Sequence, residues 1–444
     1  MPQAVAKNGH QLAIRLDRAD HTYAPGETLT GHVCRKSDIV TPKATICISL
    51  HARSKSRMVS RRGHLTSTHR GRFDLVKSTD YSQTIFDGPL HITINDNEQI
   101  WAFSITLPTH VDLSTLRSMT DQNQSYVSTN ARDASDYRLP PTFLIERYEY
   151  MSGMSAFVEY YLQAELKVSS RGSTNTTDAI LPFKMLHLNP EPSRNRPSLH
   201  LLQHHISTQS DPNLEFDIQI QIPTVLQIDN PDPLHLTVLA IPSATNYLQY
   251  LSRKICITRI FLNVIARTEI KCPTRKAVRQ ADNETRINLH AEDAHRKYGE
   301  ELYVPWKRLT TEEQASQNSF RTSDMESQVP LDIGKKIGIL VERRQDLYAT
   351  FTTFNIQHTH HLKWEMTVQI EGNSFELSGE DPIKILSRPE LERNTEWIQP
   401  PPEDQLPDFA DYQEELVELD TRRGSHRSED MTGGVGGLSR LWVL

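Results

Sequence analysis

The stretch LKWEMTVQI, residues 362–370, alternates apolar and polar side chains without interruption. Apolar residues occupy every second position, and polar residues fall between them. Because successive side chains of a β-strand point to opposite faces, this pattern predicts a strand with one buried and one solvated face. Such strands are typical of antiparallel sheets that stack as sandwiches.

The same alternation recurs in both halves of the chain. It marks residues 216–222, 101–107, 158–168, 12–16 and 46–50. Turn-forming residues such as Pro25-Gly26 fall between these runs, because proline fixes φ and glycine accepts a positive φ. Long helical patterns are scarce. The sequence therefore predicts an all-β protein built from two β-sandwich domains in tandem.

Segments without alternation place the domain boundaries. The first predicted domain covers residues 10–188 and the second covers residues 213–388. Residues 189–212 contain four prolines and are predicted to be the linker. The polar residues 274–330 are predicted to be an insertion in the second domain. Residues 389–444 hold 13 acidic residues and 5 arginines, which predicts a disordered acidic tail.

Charge and cysteine content argue against several function classes. The formal net charge of −7 does not favour a protein that binds nucleic acid as a whole. None of the four cysteines lies in a CxxC pair, so a metal knuckle or dithiol site is not expected. No run of 18 apolar residues predicts a membrane-spanning helix. The expected compartment is the reducing cytosol, and no cofactor is expected.

Short motifs follow one another in a characteristic order along the chain. They are YAPGE at 23–27, GHV at 31–33, FDGP at 86–89, WAFSITLP at 101–108, LPPTF at 139–143 and TFNI at 353–356. In order and spacing these motifs resemble the arrestin-domain family, and most of all its fungal members. The similarity extends over both predicted domains.

This resemblance implies a tandem of immunoglobulin-like β-sandwiches, the arrestin fold, without catalytic residues. Fungal members are typically trafficking adaptors. They bind cytosolic parts of membrane receptors or transporters and recruit a HECT-type ubiquitin ligase, which leads to endocytosis. The chain is therefore expected to be a non-catalytic scaffold in the cytoplasm, peripherally associated with the plasma membrane or endosomes.

One family feature is not matched. Recruitment of the ligase usually uses a Pro-Pro-x-Tyr motif, which binds WW domains as an extended segment. Here the prolines at 400–402 are followed by Glu403 and Asp404, and the nearest tyrosine is Tyr412. The alternative expectation is a retromer-like sorting or coat subunit of the same fold, without ligase recruitment.

The most unusual local feature is a basic segment. Residues 39–73 contain eight Lys and Arg residues and no acidic residue. They are expected to form a long hairpin connection after a strand at 45–50. Guanidinium groups bind two phosphate oxygens at once, so we predict a contact surface for a phosphorylated or acidic partner, or for an anionic lipid surface. The alternative is a solvated loop. The candidate residues are Arg53, Lys55, Arg57, Arg61, Arg62, Arg70 and Arg72.

The acidic tail offers a complementary charge. Its apolar residues Phe409, Tyr412, Leu416 and Leu419 could fold back on the first domain as a clasp, or act as a short linear motif. Its composition favours a plain disordered tail.

A histidine cluster invites a metal interpretation. His358 and His360 would share one face of a strand, next to His361, but no acidic or cysteine ligand is close in sequence. Structural roles are therefore favoured. Nucleophile, phosphate-loop and metalloprotease signatures are absent from the sequence, so no enzyme is expected.

Overall fold

The structure is a computed structural model of the chain. It describes residues 4–62, 65–93, 98–112, 114, 125–127, 138–148, 152–170, 173–186, 199–207, 215–242, 253–273, 278–307, 329–344 and 346–387. Strands dominate these residues, and they form two β-sandwiches in tandem. The predicted fold class is therefore confirmed.

The first sandwich contains ten strands in the described residues. They are β1 (Ala13–Leu16), β2 (Thr22–Tyr23), β3 (Thr28–Arg35), β4 (Ile39–Arg62), β5 (Leu65–Asp74), β6 (Ser82–Ile92), β7 (Gln99–Thr106), β8 (Phe143–Tyr148), β9 (Ser152–Ser170) and β10 (Ser173–Met185). A 3₁₀ helix, Ser78–Tyr81, precedes β6. One sheet has the order β1-β3-β7. The larger sheet has the order β2-β10-β9-β4-β5, with β6 paired to β4 and β8 paired to β9.

The second sandwich repeats this plan with a small and a large sheet. Its strands are β11 (Leu199–Ser207), β12 (Glu215–Pro223), β13 (Val225–Gln227), β14 (Thr237–Pro242), β15 (Ile255–Pro273), β16 (Val278–Asn288), β17 (Leu302–Val304), β18 (Leu331–Asp332), β19 (Phe351–Thr352), β20 (Ile356–Ile370) and β21 (Asn373–Leu386). The small sheet has the order β11-β12-β14-β18. The large sheet has the order β13-β21-β20-β15-β16, with β17 paired to β15 and β19 paired to β20.

In the part of the second sandwich that the structure describes there are two short helices, α1 (Ala291–Tyr298) and α2 (Ile333–Ile337). Asp332 caps α2 by accepting a hydrogen bond from the Lys335 backbone N–H, and Gly338 ends the helix in a left-handed conformation. Among the described residues, no helix is long and apolar enough to cross a bilayer.

Strand β20 shows how the alternation builds the core. Buried and half-buried residues alternate along its whole length. Trp364 is fully buried and lies opposite Gly379 of β21. A Cβ atom at position 379 would stand 2.7 Å from the indole, so glycine makes the room that the large ring needs.

Two predicted boundaries differ from the structure. Residues 199–207, expected in the linker, form strand β11, and residues 278–304, expected in a polar insertion, contain β16, α1 and β17. In β11 the inward positions include His204, whose ring packs edge-on against Trp364 at 5.4 Å. Polar residues at inward positions conceal the alternation that would have indicated a strand. The tail, 389–444, lies outside the described residues.

The two sandwiches belong to one compact unit and share apolar contacts. The buried cluster of the first sandwich includes residues of β15, of β19 and of the turn before β20, together with the first residue of β20, in the second. These residues are Ile270, Cys272, Phe351, Phe354 and Ile356. Apolar packing therefore continues from one sandwich into the other, with the end of β15 lying against β4 and β5.

Candidate partner-binding face of the first sandwich

The basic segment is a strand rather than a loop. β4 runs for 24 residues and pairs with β9 from Ala44 to Ser60. Its second half also pairs with β5, from Arg53 to Arg62. The predicted hairpin connection is therefore wrong over most of its length. Polar side chains hid the strand because both of its faces are partly covered by other polar groups, and no apolar alternation results.

Strand register gathers the cations on one face. Lys55 lies directly opposite Arg72, and Arg57 lies directly opposite Arg70. Paired residues in an antiparallel ladder share a face, and so do residues two apart on one strand. Six of the seven candidate cations therefore lie on the outer face of the large sheet, here called the basic face. Its members are Arg53, Lys55, Arg57, Arg61, Arg70 and Arg72. The side chain of the seventh, Arg62, lies outside the described residues.

At its base, the basic face is already neutralised. Arg53 donates a hydrogen bond to a Glu159 carboxylate oxygen, and the Lys55 ammonium lies 3.0 Å from the same oxygen. The other oxygen of Glu159 accepts a hydrogen bond of 2.6 Å from the Ala4 backbone N–H. The side chains of Arg53 and Lys55 are only 14% and 6% exposed. Arg53 and Lys55 are thus paired with Glu159 and largely buried, and contact of these two residues with a partner stays a prediction.

Aromatic rings complete this base. The Arg53 guanidinium lies 4.8 Å from the centroid of Tyr161, on which His51 also stacks. The Lys55 ammonium lies 5.1 Å from the ring of Phe157. Burial lowers the pKa of Lys55, although the nearby Glu159 carboxylate acts in the opposite direction. Arg53 and Lys55 are therefore packed against aromatic rings as well as paired with Glu159.

Beyond Arg53 and Lys55, the cations of the basic face are not paired with Glu159. Among the described residues, Arg57, Arg61 and Arg70 have no acidic group within ion-pair distance. The Nε atom of Arg57 is buried and has no hydrogen-bond partner there. Like charges directly opposite one another destabilise a sheet, as at Arg57 and Arg70. An anion bound here would relieve this repulsion and supply the missing acceptor. We call these three residues the arginine cluster.

Arg72 occupies an intermediate position. It makes an exposed ion pair of 3.3 Å with Asp74, and both side chains are about half exposed. Exposed pairs contribute little stability, so Arg72 can exchange this partner for another anion.

The opposite face of β4 meets the second sandwich through neutral hydrogen bonds. Ser54 donates to the Asn355 side-chain oxygen at 2.6 Å, and Asn355 donates to Ser56 at 2.8 Å. Ser56 in turn donates to the Lys271 carbonyl at 2.6 Å. The Lys271 N–H then donates to the Asn355 carbonyl at 2.9 Å, which closes the network. No signal in the sequence indicates this contact, because Ser and Asn in this pattern are typical of exposed residues.

Gly71 allows this close approach. A Cβ atom at this position would stand 2.5 Å from the Ser56 hydroxyl and 2.9 Å from the Lys271 carbonyl. Its neighbour two residues on, Phe73, packs against Phe354 with ring centroids 5.7 Å apart. The glycine between Arg70 and Arg72 is the one local clue that β5 is crowded on its inner face.

A further contact comes from residues 125–127, which lie between β7 and β8. The Tyr126 N–H donates to the Phe354 carbonyl at 2.9 Å. The Lys271 ammonium donates to the Ser125 carbonyl at 2.8 Å and lies 4.2 Å from the Tyr126 ring centroid. Burial raises the pKa of the Tyr126 phenol. This segment therefore adds a second attachment of the first domain to the second.

The histidines lie in the same interdomain region. The Nδ1 atoms of His358 and His360 each lie 2.8 Å from a threonine hydroxyl, that of Thr268 and Thr350 respectively. The His358 ring packs 5.0 Å from Phe143 of the first sandwich. Burial lowers the pKa of His358 to about 4 and that of His360 to about 2, so both rings are neutral at pH 7. In the described residues, no group of three metal-ligating side chains is assembled around them.

The tail candidates Phe409, Tyr412, Leu416 and Leu419 lie outside the described residues. Comparison of the sequence with models of known protein families gives no match, and comparison with curated proteins also gives none. The function is therefore inferred from the geometry of this chain.

Proposed function

We propose that this chain is a non-catalytic adaptor of arrestin type, whose basic face binds acidic or phosphorylated cytosolic segments of membrane receptors or transporters. One observation carries the proposal. The arginine cluster presents three cations on a rigid sheet, and no acidic partner lies beside them in the described part of the chain. Guanidinium groups held by a sheet are suited to carboxylate and phosphate oxygens.

The strength of such a site depends on several weak contacts. Each exposed charge contact contributes about 0.2–1 kcal/mol, so binding requires several anionic groups on the partner. Exposed charges are also screened by salt, and affinity should fall as ionic strength rises. A partner with one acidic residue would bind too weakly to compete with solvent.

Joining of the two sandwiches supports the adaptor role. The hydrogen-bond network at Ser54, Ser56 and Asn355 holds them together, so a second surface can be presented at a defined distance from the first. The resemblance to fungal arrestin-domain proteins suggests that the second surface or the tail recruits a HECT-type ubiquitin ligase, at the plasma membrane or on endosomes. The acidic tail would compete with the partner for the basic face.

A peptide titration tests the proposal. Wild-type protein is titrated with a fluorescent phosphoserine-rich peptide, and with its unphosphorylated form, at about 50 and about 200 mM salt. The triple variant Arg57→Glu, Arg61→Glu, Arg70→Glu should bind the phosphopeptide at least about tenfold more weakly. Vesicles containing phosphatidylserine, added in place of the peptide, test whether a lipid surface is the preferred anion.

The matched control reverses three exposed cations of the second sandwich, Arg279, Arg286 and Lys297, to glutamate. This control changes the net charge by the same amount. Equal loss of binding in both triple variants would mean that net charge alone attracts the peptide, and the basic face would lose its role. An affinity for the phosphopeptide that is the same at both salt concentrations would also argue against binding at the basic face.

A second candidate function is a retromer-like sorting or coat subunit of the same fold. The sequence at 400–404, PPPED, favours it, because it lacks the tyrosine by which WW domains recognise a Pro-Pro-x-Tyr motif. Affinity purification from the native cell distinguishes the two candidates. A co-purifying ubiquitin ligase supports the adaptor, whereas co-purifying coat subunits without a ligase support the sorting subunit.

A further inference from the structure

Strand β5 lies at the edge of the large sheet of the first sandwich. In the sheet order it is the last strand, and in the described residues it pairs only with β4. Its ten residues contain no proline, which proteins commonly use to protect an open edge, and its charged residues Arg70, Arg72 and Asp74 all lie on one face. Leu65 at its start is 76% exposed. An edge of this kind presents backbone donors and acceptors to an incoming strand.

The two faces of β5 differ in chemistry. Arg70 and Arg72 point to the outer face, beside Arg57 and Lys55 of β4. On the inner face, Gly71 lies under the Lys271 carbonyl, and Phe73 packs on Phe354. A strand added beside β5 would lie about 4.8 Å away, with its own side chains alternating between these faces. Its outer side chains would meet arginines, and its inner side chains would meet a crowded surface.

We propose that the acidic partner binds by adding a β-strand to the free edge of β5, and that it carries an acidic or phosphorylated residue at every second position with small residues between. This inference rests on the proposed function and specifies the shape of the partner. Acidic side chains two residues apart match Arg70 and Arg72, which are also two residues apart. Small residues are specified for the positions between, because the Lys271 carbonyl and Pro273 crowd the inner face around Gly71.

The experiment uses the full chain and two synthetic peptides of the length of β5, ten residues. One peptide alternates Glu and Ser. The other has the same composition but places all glutamates in one block. Both peptides have the same charge, so they attract the arginine cluster equally at long range. The alternating peptide should bind about tenfold more tightly, because only it directs every carboxylate to one face.

Backbone methylation tests the strand itself. The alternating peptide is made in two forms, with N-methyl groups on all glutamates or on all serines. In a strand, alternate N–H groups point to the same side, so only one of the two sets faces β5. One form should lose binding by about tenfold relative to the other. Equal affinity of the two methylated forms, or of the alternating and block peptides, overturns strand addition.

These outcomes separate the two proposals. The two peptides could bind with equal affinity to the wild type and only weakly to the triple variant Arg57→Glu, Arg61→Glu, Arg70→Glu. This result would support the proposed function and overturn strand addition. Failure of every acidic peptide to bind removes both. Binding to phosphatidylserine vesicles with no binding to peptide would assign the basic face to a membrane surface and also overturn strand addition.

Discussion

Strands β4 and β5 have one face toward the second sandwich and an opposite face that carries the arginine cluster, and the two faces differ in chemistry. The inner face joins Ser54 and Ser56 to Asn355 through short neutral hydrogen bonds between buried groups. The outer face carries charge, which Glu159 neutralises at its base, whereas Arg57 and Arg70 have no acidic neighbour in the part of the chain that the structure describes.

This difference follows from the energetics of burial. A permanent contact must remove groups from water, and a neutral hydrogen bond survives that step at lower cost than a charge. A reversible contact benefits from exposed charges, which attract a partner from a distance and release it readily. One hairpin thus joins the two sandwiches on its inner face and, under the proposed function, offers a reversible binding surface on its outer face.

The largest effect is expected from breaking the inner network. Asn355→Ala should lower the free energy of unfolding by about 3 kcal/mol, because it removes two buried hydrogen bonds and leaves the buried Ser54 hydroxyl without the acceptor it has here, although Ser56 keeps its bond to the Lys271 carbonyl. Urea denaturation measures the loss. The control is Ser67→Ala on the exposed part of β5, which should be close to neutral. An effect of Asn355→Ala as small as that of the control would show that the joint does not depend on this network.

Acid should lower the folding stability through the buried histidines of the interdomain region. His358 and His360 have pKa values lowered to about 4 and about 2, whereas an unfolded histidine titrates near 6.5. The unfolded chain therefore binds more protons as pH falls below about 6.5, and folding stability decreases with it. Together the two histidines should lower the free energy of unfolding by about 2.5 kcal/mol when the pH falls from 7 to 5.5.

The double variant His358→Gln, His360→Gln isolates this contribution, since all other histidines remain. Its unfolding free energy, measured in urea at both pH values, should depend less steeply on pH than that of the wild type. Parallel pH profiles for the two proteins would show that these rings do not carry the acid sensitivity.

A smaller effect is expected from crowding the inner face of β5. Gly71→Ala places a methyl group against the Ser56 hydroxyl and the Lys271 carbonyl, and should cost about 2 kcal/mol. Gly9→Ala is the matched control, because nothing lies within 4 Å of its added Cβ atom. Thermal unfolding compares the two variants. A drop in stability shared by both would indicate a general glycine effect rather than a tight contact at position 71.

The smallest change in stability is expected on the outer face, together with the clearest change in binding. Arg70→Glu replaces a cation opposite Arg57 by an anion, so stability should rise slightly, by about 0.5 kcal/mol. Affinity for an acidic peptide should fall at the same time. Arg70→Gln should show a smaller change in both quantities. A loss of stability with either variant would place Arg70 in the structural part of the sheet.

Sequence reasoning reached the fold through β20, where apolar side chains at alternate positions are buried as predicted. It missed β11 and misjudged the second half of β4, where residues such as His204 and Ser56 are polar yet inward-facing. A polar side chain at an inward position gives no signal in sequence, because its partner lies far away in the chain. Asn355, for example, is separated from Ser54 by 301 residues.

The sequence by itself determined that the chain is built of strands in two sandwiches, and that it concentrates cations between residues 39 and 73. Alternation and charge depend only on residues that are close together in the sequence, so both can be predicted without the tertiary structure. The tertiary structure decided which of those cations pair with Glu159 and which have no acidic neighbour among the described residues. Burial and pairing depend on strand register and on the approach of the second sandwich, and these are fixed only when distant residues meet.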